Sequence, residues 1–283
     1  MRVLYVCTAN ICRSASAQAL LRGAVEASPE LAGIEVQSAG TAGLLGSPGC
    51  SIAPALVGHA ADHRSQPLTA ELIEWADLIL PAARDHRGAI VELAPAARSK
   101  MSTLRQAGRI ADWLIDSGMV TAARERAGAF GVGAPERSGA ATPGAPDWAA
   151  GFAAGDPRAD VQALPDEPAA RLEWLLGEMD AARGMTAASS AAPKAAGPAA
   201  HQGRRFGLRR RAGRSAAPGG PAHGGAPAPA SQRAGRAAPE PSASHPDDVP
   251  DPHVLGMGLH PVAYEQIKAS TDSLVRLLTE LAK

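Results

Sequence analysis

The sequence predicts an α/β domain: a parallel sheet of four strands with helices on both faces and an anion-binding loop directly after the first strand. Three observations carry this. Val3, Leu4, Tyr5 and Val6 form a short β-branched and aromatic run that reads as a buried parallel strand. Short apolar runs then alternate with helix-period segments over the first 115 residues. Finally, a thiol, Cys7, ends the first strand on a loop that opens a helix, which is where open α/β sheets bind ligands.

The elements follow in order. Residues 14–27 form the first helix, with Leu20, Leu21, Ala24 and Val25 on its apolar face and Ser28-Pro29 ending it. Residues 34–38, Ile-Glu-Val-Gln-Ser, alternate as a second strand. A turn-rich loop, residues 39–43, leads to a short helix over 51–58, where Pro54 is tolerated near the start. Thr69 caps another helix with Leu72, Ile73 and Trp75 turned inward. Residues 77–81 read as the third strand, 85–93 as a helix, 102–104 as a short fourth strand, and 105–115 as a helix burying Leu104, Ile110 and Leu114. The last helix runs over 261–281, striped by Val262, Ile267, Leu274, Leu277, Leu278 and Leu281.

Between these parts the composition changes. Residues 116–183 read as a partly helical insertion: a weak helix over 119–130, a Gly/Pro/Ala-rich stretch over 131–165 anchored by Trp148 and Phe152, and an amphipathic helix over 166–183 with Leu172, Leu175, Leu176 and Met179 on one face. Residues 184–246 are Ala, Gly, Pro, Ser and Arg with almost no large apolar side chains. Burial there cannot offset the entropy of ordering, so a disordered linker is expected. It carries Arg204, Arg205, Arg209, Arg210, Arg211 and Arg214 and no acid over 184–239, so an acidic partner is conceivable for it, a solvated linker being the simpler reading. The ordered fold is then residues 1–115 with 247–283, about 150 residues and one domain's worth of chain.

Three cysteines in 283 residues make no disulfide framework, and a reactive thiol requires a reducing compartment. A cytoplasmic location is expected: the chain starts directly on a strand, without a charged and then apolar leader. No run approaches the length of a membrane span. No metal ligand set or cofactor motif is read.

The chemistry sits in Cys7-Thr8-Ala9-Asn10-Ile11-Cys12-Arg13-Ser14. The amides of Thr8 to Arg13, at a positive helix end, suit a phosphate's oxygens, and the Arg13 guanidinium can grip two of them with its planar fork. The same amides and cation favour the Cys7 thiolate, and a thiolate beneath a bound phosphate is a nucleophile for phosphoryl transfer. A cysteine ending a strand also serves elsewhere as a small buried hydrophobe. Cys-x5-Arg-Ser between a strand and a helix favours the nucleophile.

This loop resembles the phosphate-binding loop of the low-molecular-weight protein tyrosine phosphatases. Ser38-Ala39-Gly40-Thr41 resembles that family's second motif, Asp62-His63-Arg64 its third, and Asp251-Pro252 the loop with its general acid. The four occur in the family's order. The resemblance implies a four-stranded parallel α/β fold and metal-independent phosphomonoester hydrolysis through a cysteinyl phosphate, protein phosphotyrosine first among substrates. It implies Cys7 as nucleophile, Arg13 as phosphate ligand through the transition state, and Asp251 as general acid and then base, with Asp247 and Asp248 as rivals. Ser14 would hydrogen-bond the thiolate, and Asn10 would fix the loop, with Ser38 and His63 supporting Asn10 and Ser14; a capping or exposed role is the plain alternative for His63. Cys12 matches a position where the family often has a cysteine, which oxidation would join to Cys7; Cys50 is given no catalytic role.

The sequence departs from the family pattern in places. Ala9 and Ala15 stand where the family commonly has Gly and Pro, and Leu44, His253 and Val254 stand where phosphotyrosine members carry aromatic walls. Two other functions use similar parts: a thiol-dependent arsenate reductase, which needs relay cysteines that only Cys12 and Cys50 would supply, and a module that binds phosphorylated ligands without turnover, for which a general acid would be superfluous.

Overall fold

The structure is a computed structural model that describes residues 1–52, 62–130, 152–184 and 245–283. Residues 53–58 of the helix expected over 51–58, the anchor Trp148 and nearly all of the 184–246 linker lie outside the described residues.

Among the described residues the sheet has three strands, β1 (Arg2–Cys7), β2 (Glu35–Gly40) and β3 (Leu78–Pro81), in the order β2-β1-β3. Both pairings are parallel; Val6 lies opposite Ala39 on one side and Pro81 on the other. β1 is central and its side chains are buried on both faces, which is why its sequence is a continuous apolar run rather than an alternating one. Val3, Tyr5 and Cys7 join one core layer, and Leu4 and Val6 the other.

The fourth strand expected over 102–104 is absent among the described residues. Residues 95–100 form a 3-10 turn and Thr103 caps the next helix, its hydroxyl accepting from the Gln106 N–H. Only Met101 and Ser102 remain between them, enough for a single parallel bridge from Met101 to Ile79 and too few for a ladder.

Eight α-helices are described: α1 (Arg13–Ala27), α2 (Ala70–Trp75), α3 (Asp85–Leu93), α4 (Leu104–Asp116), α5 (Met119–Phe130), α6 (Pro168–Ala181), α7 (Pro252–Leu255) and α8 (His260–Ala282). One face of the sheet is covered by α1, α4 and α8, with Leu21, Leu104, Ile110, Leu114, Ile267, Leu274 and Leu277 in a common core. The other face is covered by α2 and α3, through Ile73 and Ile90, and by Met101. Helices on both faces are what a parallel sheet requires. The insertion enters the first layer: Met119, Val120 and Ala123 of α5, then Val161 and Leu164, then Trp174, Leu175 and Met179 of α6 are buried with it.

The stripe of α8 differs from expectation at its start. Val262 is 46% exposed, whereas His260 and Ala263 are buried. The buried positions include the series 260, 263, 267, 270, 274, 277, 281, in alternating steps of three and four, flanked by 271, 273 and 278, and Val262 falls off that face. Small residues set the crossing of α8 with α4. A Cβ placed on Gly108 would lie 2.8 Å from the Ser270 Cα, so the backbones touch. Gly108→Ala is expected to lower unfolding free energy by about 1–3 kcal/mol, the cost of overpacking a contact that only backbone movement relieves; chemical denaturation of the two proteins checks it.

Candidate active site

The loop over residues 8–12 leaves the end of β1 and enters α1, whose first-turn N–H groups have no partners within the helix. Cys7, Asn10, Cys12, Arg13 and Ser14 are buried; Ala9 and Ile11 are half-buried and Thr8 is exposed. Asn10 holds φ at 56°, the single positive value outside glycine among the described residues. Asn tolerates this left-handed conformation better than most residues. It turns the Asn10 N–H onto the Cys7 Sγ at 3.3 Å.

Asn10 is held from every side. Its Nδ2 donates to the Ser14 Oγ at 2.9 Å and to the Ser38 Oγ at 2.7 Å. Its Oδ1 accepts from the Gln66 N–H at 2.9 Å, and its carbonyl meets the His63 Nε2 at 2.6 Å. Ser38 in turn donates to the Gln18 Oε1 at 2.5 Å. Ser38 and His63 therefore both act on Asn10, and reach Ser14 only through it. Because the Ser14 hydroxyl oxygen accepts from Asn10, its proton is available to the Cys7 sulfur 3.0 Å away. Burial lowers the His63 pKa, more than its bond to the Asn10 carbonyl raises it, so a neutral ring donates that bond.

Gly40, the third residue of the Ser-Ala-Gly-Thr motif, is explained by approach. A Cβ there would lie 2.6 Å from the Thr8 carbonyl oxygen and 2.9 Å from the Ala9 carbonyl carbon. Thr41 and Ala42 then donate to the Cys7 and Thr8 carbonyls at 2.9 and 2.8 Å. The second motif is thus a cradle for the back of the loop.

Arg13 is buried, and its Nη2 donates to the Thr8 Oγ1 at 3.1 Å and pairs with the Asp251 Oδ2. Its Nη1 donates to the Val249 carbonyl at 3.3 Å. Asp251 also caps α7, its Oδ1 accepting from the His253 N–H at 3.1 Å. The other two acids are held elsewhere: Asp248 pairs with Arg84 at 3.3 Å, and Asp247 pairs with Arg109. Val249 is pinned to the end of β3 by its N–H on the Ala82 carbonyl at 2.8 Å. Of the three candidates, Asp251 is the one that meets the loop.

His86 also meets the loop, a contact that sequence reasoning missed. Its Nδ1 accepts from the Ala83 N–H at 3.1 Å, which places the ring hydrogen on Nε2, 3.0 Å from the Thr8 Oγ1. Its position in α3, just past the end of β3, was the available signal, since ligands collect beyond the carboxyl ends of such strands. Burial, then the Arg13 cation, pushes its pKa down to about 4. The three cysteines are free thiols. Burial, then neighbouring Cys50 and Cys7, pushes the Cys12 thiol up to about 12. Cys12 and Cys50 pack together with Ile11 and Ile52.

Known proteins share this architecture in sequence. The family model for low molecular weight phosphotyrosine protein phosphatase matches residues 2–113. A protein-arginine-phosphatase of Geobacillus stearothermophilus is 41% identical over 108 residues, covering 37% of this chain and 70% of the relative. The low molecular weight protein-tyrosine-phosphatase Etp of Escherichia coli (strain K12) is 36% identical over 102 residues, 35% of this chain and 65% of the relative. A solved structure of YwlE arginine phosphatase from Geobacillus stearothermophilus aligns at 27% identity with a TM-score of 0.34, over 65% of this chain and 87% of that one. No helix among the described residues is long and apolar enough to cross a membrane.

The buried His86 makes stability depend on pH. The unfolded ring titrates near 6.5 and the folded one near 4. Between those values the unfolded chain binds more protons, so stability from this group is full above pH 6.5 and falls as pH drops toward 4. The loss amounts to about 3 kcal/mol. Urea unfolding at steps from pH 7 to 4 should show this acid limb, and His86→Gln should flatten that part of it.

Proposed function

Because the chain belongs to the low molecular weight protein tyrosine phosphatase family, we propose that it removes phosphate from phosphorylated protein side chains, phosphotyrosine foremost, through a cysteinyl-phosphate intermediate. The observation that carries this reading is the meeting of Arg13 with Asp251, 238 residues away in sequence, at the loop that holds Cys7. A general acid brought to a phosphate loop has a use in turnover and none in mere binding.

The steps use groups already described. Phosphate enters the loop and takes over the Arg13 fork, whose bidentate geometry matches two phosphoryl oxygens. That frees the Asp251 carboxylate, which takes up a proton from solvent and faces the leaving oxygen. The Cys7 thiolate, held by the Ser14 hydroxyl and the Asn10 N–H, attacks phosphorus in line. The bond from phosphorus to the ester oxygen breaks, and that oxygen takes the proton of Asp251. The Asp251 carboxylate then removes a proton from water, the water oxygen attacks phosphorus, and the bond to sulfur breaks. Phosphate leaves and the thiolate returns. The loop amides and Arg13 meet the charge that builds on the equatorial oxygens. Thr8 and His86 position Arg13, because the Thr8 hydroxyl accepts from both.

Phosphoarginine is a second reading of the substrate. Its support is specific: the relative at 41% identity and another in Bacillus subtilis (strain 168) at 36% identity are both named protein-arginine-phosphatase. Against it stand two exposed apolar side chains, Leu44 and Val254. Leu44 is 73% and Val254 78% exposed, each a few residues from a segment that contacts the loop. An aromatic ring gains from such surface, whereas a guanidinium does not.

Hydrolysis of paired peptides carrying phosphotyrosine or phosphoarginine decides the substrate; the phosphotyrosine peptide should have the higher kcat/KM. Cys7→Ser should abolish turnover of either. Asp251→Asn should lower kcat by roughly 10²–10⁴-fold, the usual worth of general acid catalysis. The same variant should bind inorganic phosphate more tightly than wild type, because no carboxylate competes for Arg13. Unchanged kcat in Asp251→Asn removes Asp251 from the reaction.

A further inference from the structure

A second cluster lies beside the loop and takes no part in that chemistry. Cys12, Cys50, His253 and His260 offer one ligand atom each, and these atoms all lie within 4.8 Å of one another. They come from three separate segments: the phosphate loop, the stretch after the second motif, and the region from α7 to the start of α8. Cys12, Cys50 and His260 are buried, at 8, 7 and 2% exposure, while His253 is exposed and faces solvent on one side.

The imidazole orientation fits ligation. His260 Nδ1 donates to the Met257 carbonyl at 2.7 Å, so Nε2 carries a lone pair. That lone pair faces the Cys50 Sγ at 3.3 Å. Metal-bound histidines are typically held this way by a carbonyl or carboxylate on the far nitrogen. The His253 ring stands edge-on to His260, with centroids 4.9 Å apart. Cys50 is fixed by its own N–H on the Ile11 carbonyl at 2.6 Å.

We propose that Cys12, Cys50, His253 and His260 form a tetrahedral Cys2His2 site for a structural zinc ion that fastens the segment carrying Asp251 to the phosphate loop. Zinc binds sulfur at about 2.3 Å and imidazole nitrogen at about 2.0–2.1 Å, which makes the edges of the tetrahedron about 3.3–3.8 Å. The Cys50–His260 contact already has that length. The widest separation, at most 4.8 Å, requires an inward shift of no more than roughly one ångström. Two thiolates balance the charge of a divalent ion in a buried place, and the soft sulfur with imidazole selects zinc over magnesium or calcium. Binding displaces the two thiol protons to solvent. Both thiolates and both imidazoles are spent on the ion, which leaves no open position for substrate, so the role is structural. The consequence is mechanical: Cys12 adjoins Arg13, and His253 lies two residues beyond Asp251.

The site is tested on the full chain, purified in a thiol-free reductant without chelator and equilibrated with zinc. Elemental analysis should find about one zinc per chain, and zinc should raise the melting temperature. Cobalt in its place should give thiolate-to-metal charge-transfer absorption and intense tetrahedral ligand-field bands. Cys50→Ser and His260→Gln should lose the ion and the zinc-dependent rise in melting temperature. His253→Ala, at an exposed position, should keep the fold and bind zinc at least roughly tenfold more weakly. A wild-type chain that takes up no zinc, cobalt spectra without thiolate bands, or unchanged zinc affinity in folded His253→Ala would overturn the proposal. The wild-type cobalt spectrum decides even if the buried variants do not fold.

Discussion

The left-handed turn at Asn10 is the constraint around which the candidate active site is built. Asn10 is wholly buried, and a buried polar group without a partner costs on the order of 1–3 kcal/mol. Each of its polar groups is used: N–H on sulfur, carbonyl on His63, Oδ1 on Gln66, and Nδ2 on Ser14 and Ser38. The contacts come from separate segments, so the second and third motifs have one shared task. Ser38 at the end of β2 and His63 in a later loop hold a backbone shape that residues 8–12 would not keep alone. The strained conformation persists because its surroundings over-determine it.

The first strand, the loop and the first helix were legible because their signal is local. A run of Val, Leu, Tyr and Val followed by Cys-x5-Arg-Ser states its own geometry. Thr69 and Thr103 announce helix starts in the same local way, each with its hydroxyl on an N–H three residues on. The fourth strand misled for the converse reason. Ser102-Thr-Leu resembles strand sequence, yet Thr103 serves better as a cap, and a cap ends whatever precedes it. Val262 resembles a stripe residue because it is apolar, whereas the phase of the whole helix places polar His260 inward instead.

What the sequence did not disclose are meetings between distant segments. His86 carries no motif; only the folded sheet brings it under Thr8. The pairing of Asp248 with Arg84 and of Asp247 with Arg109 was equally hidden, and it holds these two acids apart from Asp251, which meets Arg13. The four metal-type ligands have no recognisable spacing, because Cys12, Cys50 and the histidines belong to three segments. Cys50 gave no reason to be singled out in a loop of glycine and proline.

The placement of Asp251 despite the long detour that precedes it follows from how that segment is held. Closing a loop costs free energy that grows only with the logarithm of its length, about 0.6 kcal/mol for each doubling. The chain between α4 and Asp247 can therefore be long without much penalty, provided the far end is fixed by its own contacts. It is. Val249 bonds to the end of β3, Asp248 to Arg84, Asp247 to Arg109, and the Asp248 carbonyl accepts from Arg105 at 3.3 Å. Arg105 and Arg109 stand one turn apart on α4, the helix that also seats α8 across Gly108. The segment is docked on the two elements, β3 and α4, that border the phosphate loop's end of the sheet. Its position is set by where it binds and owes little to the path by which it arrives, and α5 and α6 can use that path to extend the core.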